Sequence, residues 1–172
     1  MSLVTLSQPQ SAAAEAYRTL RTNLHFAALE APLKTLVIAS PDIAGASVDA
    51  VANLAVVCAQ GGKRVIAIDA NVRAPQLHDR MGVSNSSGVI EALQDAAPML
   101  LSTAVAGLRV LTAGSAAAIA SDAVSSARMS DLIASLSEQA DLVLINAAPA
   151  AAFSDAAILA AGADGALLIV TR

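Results

Sequence analysis

The segment Lys34–Ser40 (KTLVIAS) is an apolar, β-branched run closed by Pro41, and Val51–Gln60 after it reads as a helix that stops at Gly61 and Gly62. Arg64–Asp69 (RVIAID) is a second run of the same kind. Working outward, Leu108–Thr112, Asp141–Asn146 and Ala166–Thr171 predict three more strands. Helices are predicted at Gly88–Gln94, Ser125–Gln139 and Ser154–Ala161, the middle one from apolar spacing at Met129, Leu132, Ile133 and Leu136. The strands are apolar almost without a break, as expected where helices cover both faces of a sheet. Strand–helix alternation then implies a parallel α/β sheet built by right-handed crossovers. Ala12–Leu29 reads as a further helix, with Leu20 and Leu24 on one side and Glu15, Arg18 and Arg21 recurring every third residue on another. It precedes the sheet, so it can lie outside the core or against a neighbour.

Composition narrows the options. The chain has 172 residues, 56% hydrophobic and only 14% charged, a mixture that excludes a disordered chain. About a quarter is alanine and aromatics are 2%, which favours close helix-on-sheet packing. The net charge of −4 argues against a nucleic-acid partner. The single cysteine, Cys58, excludes an internal disulfide and reads as a small buried hydrophobe in a cytoplasmic protein. No apolar run reaches the roughly 18 residues of a membrane span. His25 and His78 are too far apart to suggest a metal pair, so no metal site is expected.

In an open parallel sheet, ligands bind at the carboxyl ends of the strands, here the segments Ser40–Asp49, Asp69–Pro75 and Asn146–Pro149. These segments carry a resemblance that spans nearly the whole chain. The helix from Glu15 to Phe26 (EAYRTLRTNLHF), the framework Leu36–Pro41 with Ala52–Val56, the run Asp69–Pro75 (DANVRAP) and Leu142–Pro149 resemble the bacterial tyrosine kinases. The family's members are cytoplasmic P-loop domains that work with membrane polysaccharide co-polymerases in capsule and exopolysaccharide export. The resemblance implies a single P-loop NTPase-like α/β domain over residues 34–172. Residues 1–33 would then be a leading helical segment carrying a Glu-x-x-Arg-x-x-Arg oligomerisation motif, Glu15, Arg18 and Arg21.

The departures bear on chemistry. A phosphate loop needs glycines for a tight backbone nest, a lysine for the β and γ phosphates, and a hydroxyl for Mg²⁺. Aligning Ala52–Val56 with the family framework places Ser47 at the lysine and Val48 at the magnesium-binding hydroxyl. Asp49 follows, and only Gly45 is left of the glycines. The loop Asp42–Asp49 holds no cation and has an acid at either end. Asp49, in or near a first helical turn, is expected to satisfy the free N–H groups there in place of a phosphate. Asn71 and Asn146 replace carboxylates of the second and third acidic motifs, and an amide is a poor Mg²⁺ ligand. Asp69 and Arg73 persist, although an acid at a strand end can equally cap the following turn.

Three functions remain open on these grounds. The first is a catalytically inactive kinase-like assembly or regulatory module for polysaccharide export, with no bound cofactor expected. It would associate with itself through the leading helix and with a membrane co-polymerase part or chain. The second is an active ATPase or tyrosine kinase that uses ATP and Mg²⁺ through an atypical loop. The third, a dinucleotide-binding domain with Asp69 on a ribose, lacks the Gly-x-Gly-x-x-Gly turn. Glu15, Arg18 and Arg21 carry two readings as well, a subunit contact or internal Glu–Arg pairs on a solvated face.

Overall fold

A computed structural model of the chain describes residues 3–42, 46–115 and 123–170. Its elements run α1 (Val4–Ser7), α2 (Ala12–Glu30), β1 (Thr35–Ala39), α3 (Ala46–Gln60), β2 (Val65–Asp69), α4 (Leu77–Met81) and α5 (Val89–Leu93). They continue β3 (Leu101–Ser102), β4 (Leu108–Leu111), α6 (Ala127–Ser137), β5 (Leu142–Asn146), α7 (Asp155–Ala161) and β6 (Gly165–Leu168). The strands form a six-stranded sheet in the order β3-β4-β2-β5-β1-β6. All pairings are parallel except β3 with β4.

The apolar strands bury every residue of β1, β2 and β5 because layers cover both faces. One layer is α3, whose buried Leu54, Val51 and Ala55 pack on Leu36, Ile38, Val65 and Leu144. Its other side is apolar too, because α2 covers it with Tyr17, Leu20 and Leu24. The leading helix therefore lies on its own domain. The short α1 ahead of it is fixed to α3 by the buried Asn53, whose Oδ1 accepts from the backbone N of Thr5 at 3.1 Å and from its Oγ1 at 2.9 Å. The opposite layer is α5, α6 and α7, packed on Val37, Ile66, Ile68 and Val143.

Two expectations shift at their edges. The helix read as Val51–Gln60 begins at Ala46, because its alanine- and valine-rich first turns are buried and need no polar face. The last strand ends at Leu168 instead of Thr171, which lies outside the described residues. The antiparallel β3 and the short helices α1 and α4 carry no periodic signal, since two to five residues are too few to display one. Gly88 is required where α5 meets β4: a Cβ there would stand 1.9 Å from the Thr112 carbonyl oxygen. Among the described residues, no helix is long and apolar enough to cross a membrane.

Candidate functional site: the cleft at the ends of β1, β5 and β2

The strand order sets β5 between β1 and β2, so their carboxyl ends lie side by side. Register pairs Ile38 with Asn146 and Asn146 with Asp69. Helix α3 leaves this edge on one face and α7 on the other, which opens a crevice between them. The crevice is a cavity of about 190 Å³ whose walls include Ser40, Ser47, Val48, Arg73, Asn146 and Phe153. A wider groove of about 530 Å³ lies at the opposite end of the sheet, by Arg64, Arg109 and Gln139, and none of Ser40–Asp49, Asp69–Pro75 and Asn146–Pro149 lines it.

Asp69 is fully buried at the end of β2. Its Oδ2 accepts from the backbone N of Leu77 at 2.9 Å and of Gln76 at 3.0 Å, which opens α4. Its Oδ1 accepts from Asn146 Nδ2 at 2.8 Å and from the Asn71 N at 3.3 Å. Burial pushes the carboxyl above the ordinary aspartate range, against the lowering effect of these four donated bonds. Both oxygens are thus used inside the chain, so Asp69 caps the loop and is not presented to a ribose.

Asn146 is 1% exposed, and its Oδ1 has no hydrogen-bond partner among the described residues. Arg73 lies with its guanidinium carbon 4.2 Å from the Phe153 ring centroid, and its Nε donates to Asp155 Oδ2 at 3.3 Å. Among the described residues lining the cavity, Arg73 is the one cation. Phe153 and Asp155, which hold it, are site residues that sequence reasoning missed. The one available signal was their position just after Pro149, in the loop that follows β5.

The loop residues divide. Ser47 and Val48 are buried in the first turn of α3 and line the cleft, as does Asp42. Gly45 lies outside the described residues. Asp49 departs from its expected place: its Oδ1 accepts from Arg80 Nε at 2.5 Å, directed at α4 and away from the helix N-terminus. Its charge also helps to raise the Tyr17 phenol, after burial as the larger cause.

Glu15, Arg18 and Arg21 do not share one contact. Arg18 pairs with Glu15 at 2.9 Å and donates to the Pro9 carbonyl at 2.6 Å. Arg21 donates to the Val57 carbonyl near the end of α3, at 2.9 Å. The described residues contain no cluster of three or more potential metal ligands.

Comparison with known proteins places this geometry in a family. No family model matches the chain. Tyrosine-protein kinase YwqD of Bacillus subtilis is 32% identical over 173 residues, covering 99% of this chain and 73% of that protein. Tyrosine-protein kinase wzc of Salmonella typhimurium is 37% identical over 175 residues, 99% of this chain but 24% of its own length. The chain therefore spans about a quarter of the longer relative. The solved kinase domain of Escherichia coli tyrosine kinase ETK superposes with a TM-score of 0.91 at 30% identity, over 98% of this chain and 67% of that one. MinD from Pyrococcus horikoshii, complexed with Mg-ADP, shares the fold at a TM-score of 0.64 and 23% identity over 80% of this chain. The order of the strands, the cleft at the ends of β1, β5 and β2, and relatives that match this chain over nearly all of its length agree: the chain belongs to the family of bacterial tyrosine-protein kinases.

Proposed function

We propose that this chain is a member of the family that does not transfer phosphate, and that it acts as an assembly or regulatory module beside a membrane polysaccharide co-polymerase. The observation that carries the reading is the charge of the cleft. The loop from Asp42 to Asp49 has no lysine or arginine, Ser47 stands where the resemblance calls for the lysine, and Asp42 lines the wall. A nucleoside triphosphate carries about four negative charges, and each unit pair about 4 Å apart is worth about 4 kcal/mol at an effective dielectric near 20. Exchanging an attractive lysine for nearby acids reverses a contribution of several kcal/mol. Asn146 adds to this, because it spends its amide N–H on Asp69 and offers no charge to Mg²⁺.

A second reading keeps the activity. The relatives are named tyrosine-protein kinases, and Arg73 lines the cleft with only its Nε bonded to Asp155. In that reading Arg73, or a cation from a neighbouring subunit, takes the lysine's part with ATP and Mg²⁺. Incubation of the purified chain with Mg-ATP and a tyrosine-containing peptide separates the two. Our reading expects no phosphotyrosine, and turnover that is lost in Asp69→Asn supports the second.

Self-association through α2 is part of the proposal. Arg18 is partly exposed, and its bonds to Glu15 and Pro9 are surface bonds that a neighbouring subunit can replace at little cost. Arg18→Glu is expected to lower the mass measured by light scattering while the melting temperature stays within a few degrees. An unchanged mass for a wild type that is already oligomeric refutes that contact.

A further inference from the structure

We propose that the cavity between α2 and the turn from α3 to β2 binds a dianionic phosphate group, gripped by Arg21 and Lys63. The cavity holds about 320 Å³ and is lined by Arg21, Thr22, His25, Cys58, Gly61 and Lys63. It lies at the amino ends of the strands, across the domain from the cleft described above. No acid is among its lining residues, and neither Glu15 nor Arg18 reaches it. Arg21 and Lys63 are half-buried and His25 is exposed, so a solute can touch all three.

The arginine is held in place. Its Nη1 donates to the Val57 carbonyl at 2.9 Å and lies against Gly61, where a Cβ would come within 3.0 Å of it. That carbonyl does not depend on the arginine, because it also accepts from the Gly61 N at 3.1 Å. The Cys58 carbonyl accepts from the Gly61 and Lys63 N–H groups, and the Ala59 carbonyl from Gly62. The end of α3 is thus closed by its own turn, and the rest of the guanidinium fork has no partner among the described residues. Lys63 makes no hydrogen bond or ion pair among them either, and Asp141, the acid on which its charge acts, is already paired with Arg64 at 2.7 Å. The two charges converge on the cavity: both pull down the Cys58 thiol in its wall, although burial, the larger cause, pushes that thiol up to about 11.

This charge pattern selects the anion. An arginine presents a planar fork to two oxygens and a lysine adds a point charge, a combination suited to phosphate. A phosphate monoester carries about 1.5 to 2 negative charges at neutral pH on three acceptor oxygens, whereas a carboxylate or sulfonate leaves one of the cations unmatched. His25 adds a further N–H donor to the wall. The volume is about ten times the liquid share of one water, enough for a phosphate and the group that carries it.

Magnetic resonance titration of the isotope-labelled full chain tests this. Phenyl phosphate is expected to shift the Gly61, Gly62 and Lys63 amide peaks saturably, with a dissociation constant of about 1 mM, and to leave those of Ser47 and Asn146 in place. Benzenesulfonate, a monoanion with the same three oxygens, should bind about tenfold more weakly. Lys63→Met and Arg21→Met should each weaken phenyl phosphate about fivefold. If Arg21→Met fails to fold, Lys63→Met, in a surface turn, still decides. Inorganic phosphate that binds as tightly as phenyl phosphate identifies the free ion as the ligand, and weaker binding identifies an ester. The proposal is overturned if no peak shifts saturably up to about 20 mM, if benzenesulfonate binds as well as phenyl phosphate, if the variants bind like wild type, or if the shifts fall on the cleft residues instead.

Discussion

Replacing Asp69 by alanine should destabilise the fold by about 3 kcal/mol, because its carboxylate organises the loop between β2 and α4. It accepts bonds of 2.8 Å from Asn146, 2.9 Å from Leu77, 3.0 Å from Gln76 and 3.3 Å from Asn71. Removing it leaves at least the Leu77 N and Asn146 Nδ2 buried without acceptors, and each such orphan costs about 1–3 kcal/mol. Part of that is offset, because burial already disfavours the charged carboxylate and pushes its pKa up. For a domain of this size about 3 kcal/mol lowers the melting temperature by roughly 6–12 °C. Asp69→Asn keeps one oxygen for α4 and lets the Asn146 amide turn over, so its cost should be nearer 1 kcal/mol. Urea unfolding with a shared slope measures both. If Asp69→Ala stays within about 1 kcal/mol of wild type, or if asparagine is as harmful as alanine, the capping role assigned to this residue is wrong.

Leu54→Ala, at a fully buried position on α3 between the sheet and α2, should cost about 2–5 kcal/mol by urea unfolding. Gly88→Ala forces a methyl group to within 1.9 Å of the Thr112 oxygen, so α5 must shift from β4 and stability should fall by about 1–3 kcal/mol. The pH dependence has two opposing parts. Because the folded pKa of Asp69 is raised, its contribution is fully present below the ordinary aspartate value of about 4 and is lost as pH rises through the raised value. Burial raises Asp164 as well, but bonds from the Lys34 and Thr35 N–H groups and the Thr35 hydroxyl outweigh it. The net pKa is lowered, and the contribution of Asp164 is lost as pH falls through it. The urea midpoint of wild type minus that of Asp69→Asn should therefore decrease with rising pH above about 4, and a flat difference contradicts the assignment.

Most of the fold was legible in the sequence because its signals are local. The continuous apolar runs at Lys34–Ser40, Arg64–Asp69 and Asp141–Asn146 match the observed strands Thr35–Ala39, Val65–Asp69 and Leu142–Asn146 to within one residue at each end. The packing of α2 was not legible, because an amphipathic helix shows that it has an apolar side but not what covers that side. The candidate site was half legible. Strand ends and motif positions located Ser47, Asp69, Arg73 and Asn146, which the structure places around one cavity or directly behind it. Directions of side chains were beyond reach. Asp49 turns to Arg80, and Arg21 to the end of α3, because those partners lie 31 and 36 residues away along the chain. Likewise no pattern showed that Phe153 and Asp155 hold Arg73, across a separation of 82 residues for the acid.

Calorimetric titration of the purified chain with Mg-ATP tests the charge argument most directly. With no cation in the loop Asp42–Asp49 and acid in the wall, the dissociation constant should be no tighter than about 1 mM, a binding free energy near −4 kcal/mol. A constant near 1 μM, about −8 kcal/mol, would mean that the cleft grips a polyanion without its lysine and would contradict the account.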